Sequence, residues 1–270
     1  MQPVVLISGA SSGIGMETAR LLAENGYTVY GAARRVERMD ALKPYGVKTI
    51  RMDVVDDKSM TDAIKSILDD ERHLDILINN AGFGFYGAVE DVSIEDARYQ
   101  MEVNVFGAAR LTQLVLPGMR ERHYGKIVNI SSIAGKVATP FGGWYHASKF
   151  ALEGLSDSLR NEVKPFGIDV ILIEPGGIRT EWGPIAFDNL EKSTGKSAYK
   201  QAASKFSTAF KKTMKKHSDP DVIAKLIFKS IEDQPPKARY SAGYMAKATL
   251  LMRRLLCDNM LDALFLKMLK

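Results

Sequence analysis

Tyr145 and Lys149 stand four residues apart in the run WYHASK, residues 144–149. On a helix, positions i and i+4 share a face, so an ammonium can lie beside a phenol. A free tyrosine titrates near 10, and a nearby cation favours the phenolate. Bringing that phenol to neutrality takes about three pH units, or roughly 4 kcal/mol. A phenol so tuned can give a proton to a carbonyl oxygen or accept one from an alcohol. The bland alternative is a helix surface that carries two polar residues, and the pair alone does not decide between them. His146 points roughly 100° away from Tyr145 and reads as an ordinary helix residue.

A second stretch with chemical potential is SGASSGIG, Ser8 to Gly15. Gly9, Gly13 and Gly15 let the backbone turn sharply and approach a pyrophosphate. Ser11, Ser12 and Ile14 complete the turn, and the N-terminus of the following helix offers free N–H groups to phosphates. A lone glycine triplet is weak evidence, but this one lies between a strand-like and a helix-like run, the context that supports a dinucleotide site. An NAD-type site needs a carboxylate near the end of the second strand. Here that strand ends AARR: Ala33 holds the place of the acid, and Arg34 and Arg35 follow. A guanidinium fork pairs with a 2′-phosphate that a carboxylate would repel, so NADP(H) is the expected cofactor. The alternative is two solvated loop arginines.

These residues need elements to hold them. Short runs rich in Val and Ile occur at 4–8, 28–33, 47–53, 74–80, 125–131 and 168–174, with a seventh at 238–243. Their near-continuous apolar character suits strands covered on both faces. Helix-length segments at 13–25, 56–71, 94–122 and 144–164 lie between them. Repeated βα units predict an α/β fold, a doubly wound parallel sheet of the Rossmann kind, spanning 1–270 as a single domain. Gly26 closes the first helix, and Pro165 with Gly167 ends the one begun near Trp144. The single cysteine, Cys257, excludes an internal disulfide and suits a reducing compartment. No basic, apolar leader is evident, and no apolar run reaches the ~18–20 residues of a membrane span, so a cytoplasmic protein is expected.

Further motifs follow in order: Asp53 and Val54 after the third strand; NNAG, Asn79–Gly82, after the fourth; Asn104 in EVNVFGA; NISS ending in Ser132; and PGGIRT, Pro175–Thr180. Together with the glycine turn and the Tyr–Lys pair, this ordered set resembles the classical type of the short-chain dehydrogenase/reductase family over roughly residues 4–182. Ser8 stands where that family usually has Thr, and a hydroxyl is retained. The resemblance implies hydride transfer between nicotinamide and a substrate carbon, with Tyr145 as general acid/base, Ser132 polarising the substrate oxygen and Lys149 also holding the nicotinamide ribose. It implies that Asn104 supports a water-linked proton path from Lys149, and that Asp53, with Val54 beside it, meets the adenine. Asn80, Ala81 and Gly82 would shape the turn beside the adenine ribose. Pro175, Gly176, Ile178 and Thr180 would lie over the nicotinamide, with the Ile178 N–H and Thr180 as contacts to its carboxamide and the phosphates.

Phe83, Phe85, Tyr86, Phe141, Trp144, Trp182 and Phe187 crowd the expected cleft and suit an apolar ketone or alcohol. Residues 182–217 read as a helical substrate lid, with Tyr199, Phe206 and Phe210 on one side. The tail from 245 to 270 is amphipathic, with Leu250, Leu251, Leu255, Leu256, Met260, Leu261, Leu264 and Leu269 among charges, and a break expected near Asp258–Asn259. It could cover the cleft, pack on a partner subunit or rest on a membrane surface. RYSAGYMAK and the arginine- and leucine-rich tail resemble the 17β-hydroxysteroid dehydrogenase-like branch, which implies steroids, retinoids or related lipophilic alcohols. From Glu181 onward 17 Lys+Arg face 9 Asp+Glu, a surplus of +8, against −3 for the first 180 residues. A solvated face is the plain reading of that surplus, and nucleic acid is not expected. The chain is thus expected to be an NADP(H)-dependent carbonyl reductase or alcohol dehydrogenase, without metal, working as a dimer or tetramer. A non-catalytic NADP(H) sensor or a surface-binding protein on the same fold is the alternative.

Overall fold

A computed structural model describes residues 2–267. Seven parallel strands form one sheet: β1 Val4–Ser8, β2 Thr28–Ala33, β3 Lys48–Arg51, β4 Ile76–Asn79, β5 Gly125–Ile130, β6 Ile168–Pro175 and β7 Arg239–Ala242. Their spatial order is β3-β2-β1-β4-β5-β6-β7. The order reverses between β1 and β4, and in such sheets the crevice beyond the carboxyl ends at the reversal is the binding place.

The helices are α1 Gly13–Glu24, α2 Asp57–Glu71, α3 Ile94–Met101, α4 Gly107–Glu121, α5 Gly143–Val163, α6 Trp182–Thr194, α7 Lys200–Met214, α8 Pro220–Glu232, α9 Ala246–Leu255 and α10 Asp258–Leu266. Strand side chains alternate between two cores. Val5 and Ile7 of β1 face one core, with Ala19 and Leu22 of α1 and Ile223 and Ile227 of α8. Val4 and Leu6 face the other, with Ile64 and Ile67 of α2 and Leu111 and Val115 of α4. Every residue of β1, β4 and β5 is buried, as the continuous apolar runs predict.

Local signals set the ends. The Asp56 side chain accepts from the Lys58 and Ser59 N–H groups at 3.0 and 3.2 Å, so Asp56 caps α2 rather than joining it. Gly26 leaves α1 with φ of 84°. The third and fourth strands are shorter than their apolar runs. Val47 and Leu74 are buried but unpaired in the ladder. A 3₁₀ stretch, Val36–Tyr45, follows β2 where no element was expected. The long helix expected over 94–122 is three pieces: α3, a π-helical turn at Glu102–Phe106, and α4. One wide turn leaves the apolar periodicity on either side intact, so the sequence pattern does not reveal it, and such turns gather at functional sites. Gly107, just after it, packs where a Cβ would lie 2.5 Å from the Val54 carbonyl oxygen. The tail breaks at Leu256–Cys257, just before the expected position, and Leu269 lies outside the described residues. No helix among the described residues is long and apolar enough to cross a membrane.

Candidate active site

The glycine turn sits on the loop that follows β4. The Ser8 hydroxyl accepts the N–H groups of Asn80 and Ala81, both at 3.0 Å. The Asn80 amide returns bonds to the carbonyls of Ser8 and Gly9 at 3.0 and 3.1 Å. Gly9 and Gly13 have φ of 69° and 56°, the left-handed region that glycine enters without strain. A Cβ on Gly15 would lie 2.5 Å from the Gly9 carbonyl oxygen, and one on Gly9 would lie 2.8 Å from Cα of Ala81. Two of the three glycines are therefore required by packing of the turn on itself and on its neighbour. Ser12 precedes α1 and makes no side-chain cap, so it leaves the first-turn N–H groups of α1 without a side-chain acceptor of its own.

Beyond the turn lies a cleft of ≈ 520 Å³ lined by Ser11, Ser12, Gly13, Arg38, Arg179 and Thr180, among others. Thr180 stands opposite Gly13, with its methyl 3.0 Å from where a Cβ would be. Pro175 ends β6, and Gly176 is pressed against residues 244–246. Ser218 pins the loop further: its N–H donates to Gly177 O at 3.2 Å, and its carbonyl accepts the Arg179 N–H at 2.8 Å. The Ile178 N–H donates to no backbone group among the described residues. Arg34 and Arg35 are exposed at the end of β2, and Arg34 donates to the Tyr99 hydroxyl at 2.9 Å. Ala33, in the place of the expected acid, is buried. Arg38 was missed by the sequence reading. It lies one 3₁₀ turn after Arg35 and pairs with Glu181 at 2.6 Å at the cleft mouth. The signal was a third arginine at i+3, which becomes legible only when the segment is known to be 3₁₀. Asp53 accepts the Val55 N–H at 3.2 Å and shapes the entry to α2, and Val54 beside it is buried.

Ser132, Tyr145, Lys149 and Asn104 converge beyond β5. Ser132 lies two residues beyond the end of β5 and accepts the Ala134 N–H at 3.1 Å. Tyr145 and Lys149 are one turn apart on α5, both buried, with the ammonium 6.0 Å from the phenol ring centre. The Lys149 Nζ donates to the Ile130 carbonyl at 2.9 Å. Asn104, on the π-turn, accepts the Phe83 N–H at 3.0 Å and donates to Phe83 O and Ser148 Oγ, both at 2.9 Å. Gly82 edges this group: a Cβ there would lie 3.1 Å from Asn104 Oδ1 and 3.7 Å from Lys149 Nζ.

Two expectations need correction here. Burial pushes the Tyr145 phenol up to about 12, with the Ser132 hydroxyl acting the other way, so without ligand it is not poised near neutrality. The same burial pushes Lys149 down to about 8. Desolvation is the largest cause of both shifts. His146 is not an ordinary helix residue. It is buried, its Nε2 accepts the Thr139 N–H at 3.0 Å and its Nδ1 donates to Ala134 O at 3.0 Å. It ties α5 to the loop after Ser132.

The aromatic residues divide. Tyr86, Phe141, Phe187 and Phe206 are buried in one cluster with Tyr145, and Trp182 packs at its edge. The Trp182 and Tyr145 rings are 5.0 Å apart, and Tyr86 meets Tyr145 at 5.9 Å. Phe83 instead faces Tyr99 at 5.5 Å, and Tyr199 is exposed, bonded to Glu90 at 2.8 Å. Phe85 and Trp144 are half-buried and stand outside the cluster.

Among known proteins, residues 3–190 match the family described as short chain dehydrogenase. A probable short-chain type dehydrogenase/reductase of Helicobacter pylori is 38% identical over 97% of this chain and 96% of its own. A 3-ketodihydrosphingosine reductase of Bacteroides thetaiotaomicron is 36% identical over the same shares. An NADPH-dependent 3-dehydrocapnine reductase of Ornithobacterium rhinotracheale is 33% identical over 98% and 96%. The crystal structure of a short-chain dehydrogenase from Streptomyces avermitilis superposes with a TM-score of 0.78 at 32% identity, covering 99% of this chain and 94% of that one. With the fold, the ordered motifs and these relatives in agreement, the chain belongs to the short-chain dehydrogenase family of oxidoreductases.

Proposed function

We propose that the chain is an NADP(H)-dependent reductase that converts a ketone on a lipophilic substrate to a secondary alcohol, and runs the reverse reaction when product accumulates. The observation that carries this reading is the convergence of Ser132, Tyr145 and Lys149 at the edge of a buried aromatic cluster, beside a glycine turn that only Gly can form. That turn, the uncapped N-terminus of α1 and the Ile178 N–H fit a dinucleotide. When bound, the nicotinamide supplies the hydride. Tyr145 then donates its proton to the carbonyl oxygen, Ser132 hydrogen-bonds that same oxygen, and Lys149 favours the phenolate left behind. A protonated Tyr145 is what reduction needs at the start, and its raised pKa supplies it.

NADP(H) is favoured over NAD(H) by Arg34 and Arg35 at the end of β2, by Arg38 one turn on, and by the absence of a carboxylate at Ala33. A relative is named as NADPH-dependent. The substrate class rests on the aromatic lining and on two relatives named for 3-keto and 3-dehydro compounds, the first a long-chain lipid ketone. We place this chain with lipid ketones, a class that overlaps the steroid- and retinoid-handling branch that RYSAGYMAK and the tail after it resemble. Helices α6 and α7 serve as the substrate lid, and the tail as a contact to a membrane surface or a second subunit.

The test is NADPH oxidation with a panel of long-chain 3-ketones, steroids and retinals. Turnover with at least one is expected, with Tyr145→Phe lowering it by about 10³-fold or more while NADPH still binds. Failure with every ketone, despite tight NADPH binding, would favour the sensor alternative. Arg34→Ala with Arg35→Ala should weaken NADPH far more than NADH. Equal losses would show that neither arginine meets the 2′-phosphate.

A further inference from the structure

Lys149 is buried, and among the described residues its hydrogen bond goes to a neutral carbonyl, not a carboxylate. Facing it are the Tyr145 phenol, the Asn104 amide across Gly82 and the Ile130 carbonyl. None of these carries a negative charge at neutral pH. The next residue on the same helix face is Glu153, again at i+4, and Asp157 follows at the same interval. Tyr145, Lys149, Glu153 and Asp157 thus form a ladder down α5.

Glu153 is as buried as Lys149 and is held by two cations. Lys136, in the loop after Ser132, pairs with its Oε2 at 2.7 Å. Arg239 of β7 pairs with the same oxygen at 2.9 Å, with Asp157 at 2.7 Å and with Glu174 of β6 at 3.3 Å. Arg160 meets Asp157 at 2.5 Å. Gly135 leaves the room: a Cβ there would lie 2.9 Å from the Glu153 side chain and 3.1 Å from the Lys149 carbonyl oxygen. The other carboxylate oxygen of Glu153 is buried with no hydrogen-bond partner among the described residues.

A surface ion-pair network would leave neither a buried acid nor an unpartnered oxygen. Glu174 shares this state, with its Oε1 also buried and without a hydrogen-bond partner among the described residues, but it stands on β6 and not on the helix of Lys149. We propose that Glu153 is a positioning residue of the reaction: clamped by Lys136 and Arg239 beneath the catalytic helix, its carboxylate keeps the Lys149 ammonium charged and so sets the pH range in which Tyr145 works. This rests on the reading of Tyr145 and Lys149 as the acid–base pair. Burial lowers Lys149, and Glu153 is the group that opposes that fall. Glu174 is raised by its own burial and by Glu153.

The deciding measurement is the titration of Lys149 itself, by NMR of protein labelled at the lysine side chains, with Lys149→Arg used to assign the signal. The wild-type midpoint is expected near 8. In Glu153→Gln it should fall by about one unit, because a buried ammonium loses the carboxylate one turn away on its own helix. Lys136→Met strips one clamp cation but keeps the carboxylate, and should move the midpoint upward; it serves if the Gln variant does not fold. A midpoint unmoved in these variants, with only a lower melting temperature, overturns the proposal. The alkaline limb of kcat/KM for the ketone should shift with the midpoint while KM stays the same. A moving midpoint without turnover on any ketone leaves the coupling standing and removes the reaction assignment, so the two failures are distinguishable.

Discussion

Lys149 carries the sharpest consequence at the scale of single residues. Its ammonium is present below about 8 and lost above, so ketone reduction should decline as pH rises through that value. Stability should move the other way. Between about 8 and the unfolded lysine value near 10.4, the unfolded chain binds a proton that the folded chain lacks, so stability rises with pH across that window. Thermal melts at pH 7.5 and 9.5 check the sign. It follows that Lys149→Met should stabilise the fold by about 1 kcal/mol, since it replaces a buried cation whose hydrogen bond goes only to a carbonyl. Activity should be lost at the same time, which a melt and an assay of one preparation would show. The proposed catalytic set is readable in the sequence because each member is tied to a spacing: Ser132 to a strand end, Lys149 to a helical turn. Their protonation was not legible, because desolvation depends on what covers a residue, and Trp182 lies far along the chain from Tyr145. His146 was misread for a related reason. Helical geometry showed that it leaves the Tyr145 face, but not that residues 134–139 wait on the other side.

The elements explain why the motifs sit where they do. In the glycine turn, Gly15→Ala should prevent close packing on Gly9, with dinucleotide affinity falling by about tenfold or more and stability by about 1–3 kcal/mol. Fluorescence titration with NADPH and a urea melt would measure both. An unchanged affinity would show that the turn yields easily. Seven strands and the main helices were readable from apolar runs and caps, since a parallel sheet covered on both faces imposes continuous burial. The π-turn at Asn104 was not readable, and neither was the 3₁₀ stretch that brings Arg38 to the cleft. Both are departures in backbone winding that leave the hydrophobic period nearly unchanged. The aromatic lining was only half legible. Phe187 and Phe206 meet in the cluster because α6 and α7 fold over the site, whereas Phe83 turns toward α3.

At the scale of the molecule, the positive surplus and the tail belong together. Leu255 is 70% exposed and Leu251 56%, with Arg253 and Arg254 between them. Only Leu261 of α10 is buried. Such a face suits the boundary of an anionic bilayer. Vesicles containing phosphatidylglycerol should co-sediment the protein, and Leu251→Gln with Leu255→Gln should abolish this without changing turnover of a water-soluble ketone. Retention of vesicle binding in that variant would assign the basic surface, not the leucines, to the membrane.

Strand β7 is the last to be synthesised and pairs only at the sheet edge, yet its Arg239 reaches Glu153 on the catalytic helix. A nascent chain halted before residue 239 would display every motif from the glycine turn to PGGIRT and still lack this tether. Chemical competence would then arrive late in translation, when the final strand docks, rather than when the last motif emerges from the ribosome.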